Sequence, residues 1–385
     1  MKIAYIIGTL ATQGGTCRMV IEKANLYADK FGYNVSIITL YQYPNQTNVY
    51  FLSDSVNHKS LYIPHEKQYK YKYPMRLWFK WIQHRQLLKK LNETVQTIDP
   101  DIIIGVAQVE ADIISTLKCR AKKVIECHEA KIFSLSKIGQ RQSLLSRMFN
   151  SIYRFRYFYI VERHADVICP LTEADKQLWK RAKRLKVIPN FSTMSVSRYS
   201  DCTPKRVIAV GRLEWEKGYS RLINIWKLVS AKHHDWQLDI YGEGNMEKAI
   251  RILIQQSGVK NLTIHNFTPN ISEEYANSSI CLLTSYFEGF SLVLLEAQRH
   301  GVPCVSFDCP FGPRGIVSDS YSGFLVEDGE IRVFANRVSR LIEDENLRKQ
   351  FSAAAIERAK IFDVEIVINQ WKELFESLTE NHLQR

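Results

Sequence analysis

Two carboxylates, Glu288 and Glu296, stand in a stretch that reads ICLLTSYFEGFSLVLLEAQRHGVPCVSF from Ile280 to Phe307. The spacing predicts a buried strand over Ile280 to Leu283, a turn over Thr284 to Gly289, and a helix over Ser291 to His300. Gly301 and Pro303 stop that helix, and Val302 to Phe307 starts another strand. The helix therefore opens with the backbone N–H groups of Gly289, Phe290 and Ser291. Such groups lack intrahelical partners and carry the positive end of the macrodipole, which suits a phosphate. Carboxylates beside them suit neutral hydroxyls instead. A ligand with both is expected, and a nucleotide-sugar is the simplest.

A second set of residues offers fixed positive charge. Gly211-Arg212-Leu213-Glu214-Trp215-Glu216-Lys217-Gly218 follows the predicted strand Arg206 to Val210, so Arg212 and Lys217 stand just past a strand's C-terminal end. Two cations converging on a pyrophosphate would stabilise a departing nucleoside diphosphate, because negative charge grows on its bridging oxygen as the bond breaks. His128 emerges from the predicted strand Lys123 to Cys127, with Glu129 as a neighbour able to tune it. Gly14 and Gly15 lie in a loop after the first strand, where backbone could approach a ligand closely. They do not make a GxGxxG fingerprint, so a nicotinamide cofactor is not indicated. Asp99-Pro100-Asp101 could in principle hold a metal, but it precedes a strand and reads as a turn. No metal and no cofactor are expected.

Elements on this scale must be held by a substantial scaffold. The chain has 385 residues, more than one hydrophobic core usually serves, so two domains are expected. Strands alternate with helices in both halves, which predicts an α/β protein of two doubly wound Rossmann-like domains. The polar stretch Ser192 to Pro204 reads as the linker. The expected domains are 1–195, 196–362, and a C-terminal helix in 363–385 packing back toward the first. Between Tyr41 and Pro74 the pattern is irregular. Val187 to Asn190 reads as the last short strand of the first domain, and Glu173 to Lys183 as a helix.

Hydrophobic residues make up 45% and no apolar run is long enough to span a bilayer, so a cytoplasmic location is expected. The eight cysteines form no CxxC pair and fit small buried hydrophobes better than a disulfide framework. The net charge of +12 calls for an anionic partner. The excess is concentrated, with nine Lys and Arg against one acid from Lys59 to Lys90 and eleven against three from Lys118 to Arg163, both interleaved with aromatics. Such a composition suits the inner face of a membrane carrying anionic headgroups, a solvated face being the plainer reading. Nucleic acid is not indicated.

The ordered set of motifs resembles glycosyltransferase family 4, retaining enzymes of GT-B fold. It comprises Gly14-Gly15, His128, the V-I-P-N run at Val187 to Asn190, GRLEWEKG at Gly211 to Gly218, YGEG at Tyr241 to Gly244, and SYFEGFSLVLLEA at Ser285 to Ala297. The resemblance implies two domains facing a cleft and roles for each matched position. Arg212 and Lys217 would hold the donor pyrophosphate, Glu296 the ribose hydroxyls and Glu288 the donor sugar. The N–H groups of Phe290, Ser291 and Leu292, after Gly289, would complete the phosphate cradle. His128 would contact the transferred sugar, and Gly14 and Gly15 would line the cleft. Members need no metal. In PFGPRGIV, Pro310 to Val317, Gly315 stands where many relatives carry Glu, so donor-sugar contacts there would fall to backbone or to Arg314.

These readings point to transfer of a hexose or N-acetylhexosamine from a UDP-sugar to a lipid-linked glycan, in capsule or lipopolysaccharide synthesis at the inner membrane face. A nucleotide-sugar epimerase of related fold is the alternative enzyme. A catalytically silent sugar-nucleotide-binding protein is the alternative without chemistry; the joint presence of Arg212, Lys217, Glu288 and Glu296 argues against it.

Overall fold

A computed structural model describes residues 1–12, 14–64, 75–107, 111–131 and 155–380. The chain forms two compact units, Met1–Ile188 with Ile368–Arg385, and Pro189–Val367.

The first unit holds six parallel strands in the order β3-β2-β1-β4-β5-β6. These are β1 (Lys2–Ile7), β2 (Asn34–Thr39), β3 (Val56–Ser60), β4 (Ile102–Val106), β5 (Lys122–Glu126) and β6 (Val167–Cys169). Helix α1 (Gly15–Asp29) joins β1 to β2, while α2 (Met75–Ile98) and α3 (Ala111–Thr116) lead into β4 and β5. The central strands β1 and β4 are apolar apart from Lys2, as strands covered on both faces tend to be. Ile6, Ile38, Ile103, Ile125 and Ile168 belong to one buried cluster with Leu91 and Trp179.

The second unit repeats the arrangement as β12-β11-β10-β7-β8-β9. Its strands are β7 (Arg206–Val210), β8 (Gln237–Tyr241), β9 (Leu262–His265), β10 (Ile280–Leu283), β11 (Cys304–Phe307) and β12 (Gly323–Val326). Val207, Leu238, Ile264, Leu282, Val305 and Phe324 form its core with Trp226 and Phe334 from helices. In both sheets the strand order reverses direction once, between β1 and β4 and between β7 and β10. Loops leaving the strands at such a reversal diverge and leave room for a ligand.

The structure departs from the sequence reading at several places. The irregular region contains β3, an edge strand whose residues Asn57 to Lys59 are exposed, so it carries no apolar signal. Val187 to Asn190 is not a strand. Leu185 makes a single bridge to Ile168 and the Ile188 N–H reaches the Pro170 carbonyl, after which Pro189 offers no donor. The helix expected from Glu173 to Lys183 is regular only over Glu173–Lys176. The helix Glu345–Ala359, capped by the Asp344 side chain accepting from the Leu347 N–H, was not anticipated.

The stretch read as a linker is bound along its length to the second unit. Ser192 and Ser200 are buried. The Arg299 guanidinium donates to the Ser192 and Met194 carbonyls at 2.7 and 3.4 Å. The Ser200 hydroxyl donates to the Ser278 carbonyl at 2.6 Å, and the Ser200 N–H to the His300 carbonyl at 2.8 Å. His300 is itself buried, its Nδ1 is 2.7 Å from the Glu296 carbonyl and its Nε2 is 2.7 Å from the Ser272 hydroxyl.

Burial lowers the His300 pKa from 6.5, the Glu296 carbonyl opposes this, and the Arg299 charge adds to it. The unfolded imidazole therefore binds a proton more readily than the folded one. Stability from this site is full above 6.5 and is lost as pH falls below it. The stability gap between the native protein and His300→Gln should narrow from about pH 7.5 to about pH 5.5. Thermal melts at both values check it, and a gap that widens on acidification would refute it.

Candidate functional site

The loop after β7 is fixed from both sides. The Gly211 N–H reaches the Tyr241 carbonyl at 3.0 Å and the Leu213 N–H the Glu243 carbonyl at 2.8 Å, while the Tyr219 hydroxyl donates to the Gly211 carbonyl at 2.8 Å. This explains the YGEG run. A Cβ at Gly242 would lie 1.9 Å from the Gly211 oxygen, and one at Gly244 2.5 Å from that of Leu213. These glycines form the floor under the cationic loop. From the other side, the Thr284 hydroxyl donates to the Lys217 and Gly218 carbonyls, each at 3.2 Å, and the Tyr286 N–H to the Glu216 carbonyl at 2.9 Å.

These ties bring Lys217 and Glu288 together across the reversal between β7 and β10. The Lys217 ammonium donates to Glu288 Oε1 at 2.7 Å, and the Ser285 hydroxyl donates to the same oxygen at 2.7 Å. Glu288 is buried and bridges to Phe311, and a Cβ at Gly312 would come within 2.5 Å of its own Cβ. Ser285 is a site residue the sequence reading missed; its position three before Glu288 on a tight turn was the available signal. Arg212 is more exposed and pairs with Glu216 at 2.7 Å, one turn along the same loop. Trp215 and Tyr286 stack at 4.7 Å over this loop, with the Arg221 guanidinium on Tyr286.

The helix after the turn is Leu292–Arg299, capped by Ser291, whose hydroxyl accepts from the Leu294 N–H at 3.5 Å. Its first intrahelical bond is the Leu295 N–H to the Ser291 carbonyl at 3.2 Å. Gly289 to Leu292 thus form the turn into a true helix N-terminus. The Phe290 ring is buried against Phe362, so its backbone is the part suited to a ligand. Glu296 lies one turn in, buried, with the Ser192 hydroxyl 3.4 Å from Oε1. Arg314 is exposed and paired with Asp308, and the Gly315 carbonyl accepts from Arg358 at 2.9 Å.

The other sequence candidates belong to the first unit. Gly15 begins α1 and Gly14 precedes it, its N–H 3.3 Å from the Tyr50 hydroxyl. A Cβ at Gly14 would meet no described atom within 4 Å, so packing there does not demand glycine. His128 follows β5 and is buried. The carboxylate beside it is Glu126, whose Oε1 is 3.5 Å from Nε2. Asp99 pairs with Arg120 at 2.6 Å and Asp101 accepts from the Lys2 N–H at 2.8 Å, both at the start of β4. Among the described residues no group of three or more His, Cys, Asp or Glu is placed to hold a metal, and no helix is long and apolar enough to cross a membrane. Of the basic and aromatic stretches, 65–74 and 132–154 lie outside the described residues. Trp78 and Trp81 on α2, and Phe155 and Tyr159 on the 155–164 helix, are exposed, with Arg85 over Trp81 at 4.7 Å and Arg181 over Phe155 at 5.6 Å.

Residues 195–358, which contain Arg212, Lys217, Glu288 and Glu296, match the family described as glycosyl transferases group 1. Over its length the chain is 27% identical to an uncharacterized glycosyltransferase of Haemophilus influenzae, covering 96% of this chain and 99% of that one. It is 28% identical to the amylovoran biosynthesis glycosyltransferase AmsD of Erwinia amylovora, covering 97% and 99%. The fold is similar to that of S. aureus TarM, solved with fondaparinux, alpha-GlcNAc-glycerol and UDP, at a TM-score of 0.76, 15% identity, and 97% and 99% coverage. Family match, relatives and fold together support a glycosyltransferase with a GT-B fold.

Proposed function

We propose that the protein is a retaining glycosyltransferase that moves a hexose or N-acetylhexosamine from a UDP-sugar to a lipid-linked glycan in surface polysaccharide synthesis. The observation that carries this reading is the Lys217–Glu288 contact at 2.7 Å, set at the ends of β7 and β10 beside the helix capped by Ser291. A donor diphosphate would compete with Glu288 for the Lys217 ammonium and take the N–H groups at the helix start, with Arg212 as a second cation. The carboxylate of Glu288 then suits donor-sugar hydroxyls and that of Glu296 the ribose. His128 of the first unit is assigned, by the family resemblance, to the transferred sugar. The amylovoran enzyme's name and the UDP bound to TarM favour a polysaccharide acceptor and a uridine donor.

Neither glutamate is disposed as a nucleophile, since Glu288 is engaged by Lys217 and Ser285 and Glu296 sits inside a helix. Retention then requires attack on the face from which the diphosphate leaves. The anomeric carbon–phosphate oxygen bond breaks, the bond to the acceptor oxygen forms, and the acceptor's proton passes to a diphosphate oxygen. Fixed cations and the helix N-terminus would serve without a metal. The exposed Trp78, Trp81, Phe155 and Tyr159 with their arginines suit anionic headgroups at the inner membrane face.

Labelled UDP-sugars, presented with and without lipid-linked glycan extracts in excess chelator, test the reading. The expected result is acceptor-dependent transfer with the donor's anomeric configuration kept. Epimerised donor without acceptor, or an inverted product, would overturn it. Within this assignment, Glu296→Ala should weaken UDP binding by roughly tenfold or more, since hydrogen bonds to a charged group are the stronger kind. Calorimetry with UDP alone measures this, and unchanged affinity would remove Glu296 from the ribose.

A further inference from the structure

Inside the first unit lies a charged cluster that shares only His128 with the proposed donor site. Lys23 of α1 and Glu126 at the end of β5 are both fully buried and form an ion pair. The Tyr5 hydroxyl, from β1, donates to Glu126 Oε2 at 2.7 Å. Tyr27, one turn beyond Lys23 on α1, lies parallel to the Tyr5 ring at 6.4 Å, and Lys23 Nζ lies 4.9 Å above the Trp371 ring. His128 completes the cluster. Its Nε2 is buried, makes no hydrogen bond among the described residues, and is 3.5 Å from Glu126 Oε1, just beyond a good bond.

Such a cluster is poor value as a source of stability, because desolvating two ions offsets most of their attraction and apolar residues of the same size would serve as well. Its arrangement is informative instead. Burial alone would raise the Glu126 carboxyl; the Lys23 ammonium and then the His128 ring outweigh it and hold it well below the usual carboxylate range. Among the described residues, Tyr5, Tyr27, Cys127 and Cys169 also face Glu126, all pushed up by burial and therefore neutral near pH 7. Glu129 follows in the chain. The imidazole thus faces a carboxylate that is already paired with Lys23.

We propose that Lys23, Glu126 and Tyr5 are positioning residues for His128: the fixed carboxylate orients the ring through Nε2, and the Lys23 charge keeps that carboxylate from drawing the ring into a permanent imidazolium. The role given to His128 in transfer rests on the proposed function, but its control by this cluster does not. The two charges act on it with opposite sign. Without Lys23, the buried Glu126 has His128 as its nearest remaining cation, so the imidazolium is favoured. Without the Glu126 charge, the buried Lys23 ammonium repels it, so the neutral ring is favoured.

The test is an NMR titration of histidine-labelled full-length protein, free of substrate. Lys23→Met should raise the His128 titration midpoint and Glu126→Gln should lower it, each by about one pH unit or more. Shifts of the same sign, or none, overturn the proposal. Should Lys23→Met fail to fold, the isosteric Glu126→Gln decides alone, a fall in midpoint supporting the proposal and an unmoved midpoint refuting it. In transfer assays Glu126→Gln should lower kcat about tenfold, with the donor KM held within about twofold, and move the acid limb of the pH–rate profile with the NMR midpoint. NMR shifts of the expected signs in a protein that transfers no sugar would leave the positioning intact and remove the proposed function.

Discussion

Lys217→Ala should lower turnover by on the order of 10²-fold or more while changing donor affinity far less. The ammonium is one of two cations on a loop whose backbone is pinned by Tyr241, Glu243 and Thr284, so the donor meets a loop already in place. Its partner Glu288 already holds it at 2.7 Å from a carboxylate oxygen, in a partly buried setting where charge interactions exceed their value in water. In the ground state the diphosphate shares its charge with Arg212 and the helix N-terminus. As the glycosidic bond breaks, further charge falls on the leaving oxygen, and that increment is what the variant leaves uncompensated. Steady-state kinetics paired with calorimetry on UDP separate the two effects. Unchanged turnover would remove Lys217 from the chemistry, and an equal loss in affinity and rate would make it a binding residue only.

The second large effect concerns Gly218. It has φ 67°, ends the short helical turn Trp215–Lys217, and precedes the helix Tyr219–Ser230. A Cβ there would lie 2.2 Å from the Thr284 carbonyl oxygen, a backbone atom that cannot move without shifting the end of β10. Gly258 supplies the control, because its φ of 74° is equally left-handed but a Cβ would meet no described atom within 4 Å. Gly258→Ala should therefore cost about 1 kcal/mol, the conformational penalty alone. Gly218→Ala should cost on the order of 3 kcal/mol or more and separate Lys217 from Glu288, abolishing most activity. Urea denaturation compares the two directly. Equal losses at both positions would show that the close approach to Thr284 is not what requires glycine.

Much of this was legible in the residues. Most strands of both sheets are short apolar runs, three of them (β1, β7 and β8) followed directly by Gly, and their alternation with helices points to two doubly wound units. Ser291, Gly301 and Pro303 bracket the Leu292–Arg299 helix closely, so Glu288 and Glu296 could be placed in the turn and inside the helix. What stayed hidden had physical reasons. β3 is an edge strand of exposed polar residues. The glycines of YGEG act through contacts with Gly211 and Leu213, some thirty residues away in sequence, which no local pattern reports. Spacing alone offered Glu129 as the neighbour of His128; the fold set Glu126 beside it, two residues earlier, together with Lys23, which is 103 positions from Glu126. Buried ion pairs leave no periodic trace, since each partner looks like an ordinary surface charge.

The first unit is discontinuous, comprising Met1–Ile188 and Ile368–Arg385, whereas the second runs unbroken from Pro189 to Val367. The late segment is not peripheral: Trp371 lies over Lys23 and Phe375 meets the Tyr27 ring edge-on at 5.1 Å, both within buried surroundings. During synthesis from the N-terminus, α1 therefore emerges long before the residues that seal its buried ammonium. The second unit can close as soon as its own residues leave the ribosome, while the first must wait for Ile368 and the residues after it. The half made first is finished last, and a nascent chain stalled before Ile368 would present Lys23, Tyr27 and their apolar surroundings to chaperones rather than to their own helix.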